Sequence, residues 1–329
     1  MRIAHTQLSL LFVLRSAFAK RGQRIDFENQ DGGDIKQPKS DDDNVWLMMN
    51  ALPQHSPFRW ERLTVSENFY KIPYIVSGQY DPEELAIINA AMNRIERNTC
   101  IRFKKRNNDD DFLDFQNKIG HGCYTTVGRL HGRNVVMLEA NNMVTCIEYD
   151  IVIHELMHVI GLWHEHMRHD RGNYVRVRYD NIEPRFHPQF DMVPESESET
   201  FGIRYNYRSV MHYGKNAFSK TRRMVTIETL DPQYQDVIGK ATDAAPSDYY
   251  RICAIYECEE CLGVPFNLDV LTATTIAHLP TSSTLTISTP SSKPPTTYGP
   301  ITFQPNPSHR DFDIFESLIS VLKSLWAGV

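Results

Sequence analysis

The segment from residue 154 to 164, HELMHVIGLWH, places His154, Glu155, His158 and His164 at a spacing that can build a metal centre. On a helix, residues four apart lie one turn apart on the same face, so His154 and His158 can offer two imidazole nitrogens to one ion. Gly161 can take a positive φ, end that helix and turn the chain so that His164 approaches the same ion. Three protein nitrogens leave a position open for water, whose pKa zinc lowers to about 7. Glu155 sits beside the first ligand without being needed as one. Its carboxylate can act as general base toward that water and later return the proton to a leaving amine. The chemistry is metal-assisted hydrolysis. A bare HExxH is a weak signal, and the glycine and third histidine at their set spacing make it specific. The opposing reading, a core helix that happens to carry histidines, would bury three imidazoles at a cost that only a metal or hydrogen bonds could offset.

The elements that must hold these residues are visible upstream. Residues 72–76, IPYIV, read as a strand. Asp81-Pro82-Glu83-Glu84 opens a helix with a capping side chain, a first-turn proline and carboxylates near the positive end of the dipole. That helix is expected to run to about Asn98, with Leu85, Ile88, Met92 and Ile95 on one apolar face. Further strands are expected at 100–104, 123–127, 135–138 and 225–227, where β-branched and aromatic residues cluster. A strand, a helix, more strands and then the metal helix make an α+β domain.

At 329 residues and 41% hydrophobic content the chain can bury a substantial core. A net charge of −6 leaves no basic surplus for nucleic acid or an anionic membrane, and no stretch is long enough for a transmembrane anchor. Residues 1–19 carry Arg2, an apolar run from Leu8 to Leu14 and Ala17-Phe18-Ala19, the pattern of a cleaved signal peptide on a secreted protein, although Arg15 keeps the apolar run short. Residues 20–49 are polar and aperiodic, as an extended pro-segment would be. Cysteines at 100, 123, 146, 253, 258 and 261 point to disulfides in an exported chain. The CxxC at Cys258 and Cys261 has only Cys253 near it, which is too little for a thiolate metal site. The acidic runs at 109–111 and 195–199 lack the alternating spacing of a calcium loop and read as solvated loops. In residues 281–310, nineteen of thirty are Ser, Thr or Pro, a composition that cannot fold and ends the domain before it. Residues 262–329 are therefore a tail, closed by an amphipathic helix on which Phe315, Leu318, Ile319, Leu322, Leu325 and Trp326 share a face.

The HExxHxxGxxH pattern, continued by Glu165, Arg168 and Asp170-Arg171, resembles the astacin family of metzincin zinc endopeptidases. Distant segments agree: Ser209-Val210-Met211-His212-Tyr213 is similar to the family's Met-turn, and Thr99 to Phe103, Gly122 to Tyr124 and Tyr256 to Cys258 are similar to other family segments. The resemblance spans about residues 50–258 and implies a two-lobed catalytic domain, residues 50–261. Its N-terminal lobe would hold a twisted mixed sheet and the active-site helix, and its C-terminal lobe would be mostly irregular. It implies one zinc per chain on His154, His158, His164 and Tyr213, with Met211 as a structural base beneath the metal. Tyr213 is implied to leave the metal when substrate binds and to stabilise the oxyanion beside Glu155 as catalytic base. Disulfides Cys100–Cys258 and Cys123–Cys146 are implied, leaving Cys253 and Cys261 as extras whose pairing, with each other or otherwise, the resemblance does not decide.

In the family a pro-segment aspartate holds the enzyme latent. Asp34 is the candidate, although its context, Asp31-Gly32-Gly33-Asp34, lacks the family's phenylalanine. The mature N-terminus is implied near Asn50-Ala51, with Glu165 as its buried partner. Met48-Met49 precede this point, so an activating protease of trypsin-like specificity finds no basic residue there. Gly172 also departs from the acidic residue usual after Asp-Arg. The implied partners are protein or peptide substrates and the activating protease. A different class, a catalytically inactive zinc-binding matrix or binding protein on the same fold, would have no need of Glu155. A zinc hydrolase acting on a non-peptide amide or ester would differ only in the shape of its cleft.

Overall fold

Five strands make the main sheet of this computed structural model, which describes residues 22–26, 29–30, 33–36, 51–63, 68–195, 199–221 and 223–271. The expected signal segment, the Ser/Thr/Pro-rich stretch and the C-terminal amphipathic helix lie outside the described residues. In chain order the described elements are β1 (Gln23–Arg24), β2 (Tyr70–Val76), α1 (Pro82–Asn98), β3 (Ile101–Lys105), β4 (Phe112–Gln116), β5 (Cys123–Tyr124) and β6 (Arg133–Leu138). They continue as β7 (Val144–Thr145), α2 (Tyr149–Ile160), β8 (Val175–Val177), β9 (Ile227–Thr229), α3 (Pro246–Ile255), β10 (Glu260–Cys261) and β11 (Val264–Pro265). The sheet order is β3-β2-β4-β6-β5. Its first four strands are parallel, and β5 runs antiparallel along β6 as the edge. The domain is α+β.

Helix α1 begins as its sequence dictates. Asp81 accepts from the backbone N–H groups of Glu83 and Glu84, and the Glu84 carboxylate accepts from the N–H of Asp81, a reciprocal capping box. Its buried face is Ile88, Ala91, Met92 and Ile95, while Leu85 is only half-buried. This face and α2 pack together beside the sheet core of Ile72, Ile101, Leu113, Phe115 and Leu138. The expected strands at 72–76, 100–104 and 135–138 lie within β2, β3 and β6 apart from Cys100, which precedes β3. The one expected at 123–127 is shorter, and that at 225–227 is shifted to 227–229. Strand β4, central to the sheet, is not announced by its sequence, FLDFQ. Its Asp114 and Gln116 are buried, and they escape the cost of burial by bonding to each other, with Ser77 donating to Asp114 as well.

Helix α2 is buried along Ile151 to Ile160, so its C-terminal carbonyls need protein donors. Trp60 Nε1 donates to the Val159 carbonyl at 2.9 Å and the Tyr256 hydroxyl to that of Ile160 at 2.9 Å. Disulfides join Cys100 to Cys258, Cys123 to Cys146 and Cys253 to Cys261. The expected domain end at 261 falls inside the β10–β11 ladder, and the folded unit continues to Leu268. Among the described residues no helix is long and apolar enough to cross a membrane.

Candidate metal centre

Gly161 ends α2 at φ +124°, with its N–H shared between the Met157 and His158 carbonyls. A Cβ there would stand 2.6 Å from Leu52 Cδ1, so the turn requires glycine for space as well as for backbone angle. Beyond the turn, His164 is carried back toward the helix. The nitrogens of His154, His158 and His164 and a carboxylate oxygen of Asp34 all lie within 4.8 Å of one another and are fully buried.

Backbone carbonyls orient two of the rings. His154 Nδ1 is 2.8 Å from the Val210 carbonyl, and His158 Nδ1 is 2.6 Å from that of Leu162. A carbonyl only accepts, so each Nδ1 carries the proton and each neutral ring turns a bare Nε2 inward. Those two Nε2 atoms face each other at 3.0 Å. Two lone pairs at that separation repel unless a cation is shared between them, and three imidazole nitrogens are a donor set that suits zinc. Burial pushes the His158 imidazole down to about 3 and lowers that of His164, which favours the neutral form a metal needs.

Asp34 comes from the N-terminal segment. Its Oδ2 lies 2.9 Å from His154 Nε2, 2.8 Å from His164 Nε2 and 3.6 Å from His158 Nε2. Its Oδ1 accepts the hydroxyl of Tyr213 at 2.8 Å. Burial would raise the Asp34 carboxyl, but the surrounding imidazoles, His164 first and then His154 and His158, hold it well below the usual range. The surrounding backbone forms a short parallel bridge between Ile35 and Thr125, the residue after β5. Thr125 N–H donates to the Asp34 carbonyl at 3.0 Å, and Lys36 N–H donates to the Thr125 carbonyl at 2.7 Å. Farther upstream β1 pairs with β7, and Arg24 forms a bidentate pair with Asp150 at 2.7 and 2.6 Å.

Glu155 is buried with both carboxylate oxygens lacking a hydrogen-bond partner among the described residues. Burial, then the nearby Asp34 charge, pushes its carboxyl well above the ordinary range. Met211 is fully buried in the turn that also supplies the Val210 carbonyl and Tyr213. That turn is fixed by Asp248 of α3, which accepts from Ser209 Oγ at 2.6 Å and from Val210 N–H at 3.2 Å. Tyr213 itself is buried in the hydrophobic cluster of Phe190, Tyr205, Phe218 and Ile238.

Glu165, which the resemblance pairs with the mature N-terminus, is bonded here within the protein. Arg251 grips both its oxygens, the N–H of Asn206 donates to it at 2.8 Å, and Arg168 stands 3.5 Å away. Ala51 instead bridges to Leu162. Sequence reasoning misses Asp248 and Arg251. Ala245-Pro246-Ser247-Asp248 does hold a helix-start signal, a proline at the first turn with an acid two residues on, from which α3 could be found. The Val210 and Leu162 carbonyls leave no sequence signal.

Residues 63–257 match the Astacin peptidase family. The chain is 42% identical over 278 residues to zinc metalloproteinase nas-5 of Caenorhabditis elegans, covering 81% of this chain and 77% of that protein. It is 39% identical over 188 residues to zinc metalloproteinase nas-6 of the same organism, covering 57% and 53%. It therefore spans most of the first relative but only about half of the second. Among solved structures it is similar to high choriolytic enzyme 1, a hatching enzyme zinc-protease from the medaka Oryzias latipes, with a TM-score of 0.55 and 33% identity over 61% of this chain and 94% of that one.

Proposed function

Because the chain belongs to the astacin family and is a zinc-dependent metalloendopeptidase, we propose that it is made latent, with Asp34 on the metal site, and cleaves extracellular proteins once the segment before about residue 50 is removed. The observation that carries the reading is the convergence of three histidine nitrogens on the Asp34 carboxylate, beside a Glu155 that has no hydrogen-bond partner among the described residues.

His154, His158 and His164 would hold the zinc, which when bound would supply Lewis acidity toward a scissile carbonyl and a water molecule. In the latent chain Asp34 occupies the centre of the three nitrogens and also ties up the Tyr213 hydroxyl. It thereby blocks both water and the phenol. Removal of the segment frees the N–H and C=O of Thr125, which then pair with the main chain of an extended substrate at the sheet edge. It also removes the Asp34 charge, which adds to burial in raising the Glu155 carboxyl, so more of Glu155 is ionised and able to accept a proton. Glu155 takes a proton from water and delivers it to the leaving amine, while Tyr213 donates a hydrogen bond to the developing oxyanion. Residues 1–19 direct export, and the tail follows Leu268, where the folded unit ends. With Met48-Met49 ahead of the boundary, the activating protease accepts an apolar residue there or cuts elsewhere in the segment.

The test compares the full chain with its processed form on a peptide library, with and without a chelator, and repeats it for Glu155→Gln. Processing should release activity, chelation should abolish it, and Glu155→Gln should lower kcat/KM by about 10²–10⁴-fold with zinc retained. Undiminished cleavage by Glu155→Gln would overturn the mechanism. A processed, zinc-loaded but inactive wild type would favour the binding-protein reading.

A further inference from the structure

His166 lies wholly inside the protein against the phenol that the proposed mechanism uses. Its ring stacks on Tyr213 with centroids 4.2 Å apart and planes 28° apart, and it is stacked with His164 at 5.3 Å and 20°. Phe190 packs 5.6 Å away. His166 Nε2 is 3.0 Å from the Gln189 carbonyl, so Nε2 carries the proton and donates. Nδ1 is then a bare lone pair, buried and without a hydrogen-bond partner among the described residues.

Phenylalanine would fill this space without burying a polar atom. A buried nitrogen left unpaired weighs against folding, so packing alone does not account for a histidine here. What the imidazole adds is one directional bond. With Nδ1 unanchored, the bond to Gln189 alone fixes the rotation of the ring, and the ring plane fixes the face that Tyr213 lies against. The pin is also placed to respond to the cleft. A Cβ on Gly33, the residue before Asp34, would meet Gln189 Oε1 at 2.6 Å, so the residue that orients His166 also borders the chain that fills the site.

We propose that His166 is a positioning residue for Tyr213: pinned to the Gln189 carbonyl and stacked on the phenol, it sets the path along which the Tyr213 hydroxyl moves between metal and substrate. This rests on the reading of Tyr213 as metal ligand and oxyanion donor, and that reading can be checked separately in the same experiment.

The full chain, converted to its processed form, is loaded with Cu(II) in place of zinc and its visible spectrum recorded, since a phenolate on copper gives a charge-transfer band. The wild type should show the band and Tyr213→Phe should lack it. His166→Ala should shift or lose the band, and with zinc restored its kcat should fall about tenfold to a hundredfold at little changed KM. His166→Phe keeps the volume and the stack but not the pin, and should give a smaller shift and a smaller loss. A folded His166→Ala with the wild-type band and kcat overturns the proposal. Should that variant not fold, an unaltered band and kcat in His166→Phe overturn it instead. A wild type with no band, or full activity in Tyr213→Phe, would remove the Tyr213 reading itself and the proposal with it.

Discussion

From Tyr70 to Ile160 the chain builds a five-stranded sheet and two helices around Ile72, Ile101, Leu113 and Phe115, all without exposed surface. From Gly161 to Ala245 the regular elements are β8, β9 and short 3₁₀ turns, yet Glu165, Arg168 and Arg171 are buried there. The first region satisfies its backbone through ladders and helices. The second adds charged side chains to one short ladder and its turns: Arg168 donates to the Ile203 carbonyl at 3.0 Å, Arg171 donates to those of His166 and Phe190, and Asp248 reaches in from α3 to hold the Met211 turn. Two of the converging histidines, His154 and His158, ride on a helix, while His164 and Tyr213 depend on a scaffold of buried polar bonds. The two regions should therefore fail in different ways.

The largest effect is expected where a buried pair is broken. Arg251→Met leaves the Glu165 carboxylate inside the protein without its bidentate partner, and should cost about 3–5 kcal/mol in denaturant unfolding. The double variant Glu165→Leu/Arg251→Met should recover most of that loss, because the pair is then replaced rather than broken. A single variant costing under about 1 kcal/mol would erase the distinction between the regions. In the sheet region Leu113→Ala should cost about 2–5 kcal/mol from lost burial and the cavity left behind, with little dependence on salt or pH.

Gly161→Ala probes the junction between the regions. Its φ of +124° and the Leu52 contact make any side chain strained, at about 1–3 kcal/mol. The loss should appear in zinc affinity as well as in stability, because the turn that Gly161 makes delivers His164. Unchanged zinc affinity by competition with a chromogenic chelator would show that His164 is placed by the second region alone.

The same contrast explains what is legible in the sequence. Asp81, Pro82 and the periodic Ile88, Met92 and Ile95 announce α1, because a helix writes its cap and its buried face into neighbouring residues. His154, Glu155, His158, Gly161 and His164 are legible for the same reason. Strand β4 is hidden because Asp114 and Gln116 break the apolar pattern, and their partners are set by tertiary neighbours. Val225 and Thr226 look like strand, but the ladder begins at Ile227, where β8 supplies a partner. Asp34 and Tyr213 are reached only through family resemblance. Nothing local to either residue directs it to histidines more than a hundred or some fifty positions away. The carbonyls of Val210 and Leu162 are beyond any reading of side chains.

The smallest effect tests whether polar bonding also supports the second region near its surface. Asp170 takes two hydrogen bonds from Arg168, both at 2.8 Å, and is partly exposed. Burial would raise its carboxyl, but the bonds and charge of Arg168 outweigh this and lower it from 3.8. A carboxyl depressed on folding contributes stability that is complete above its unfolded value and is lost as pH falls through the folded value. The gap between wild type and Asp170→Asn should therefore be constant from neutral pH down to about pH 5 and close below the unfolded value of 3.8, at no more than about 1 kcal/mol. Leu113→Ala should show no such closing. A pH-independent gap for Asp170→Asn would mean that Arg168 is held by the Ile203 carbonyl and Glu165 alone, and that the charged scaffold ends at the buried residues.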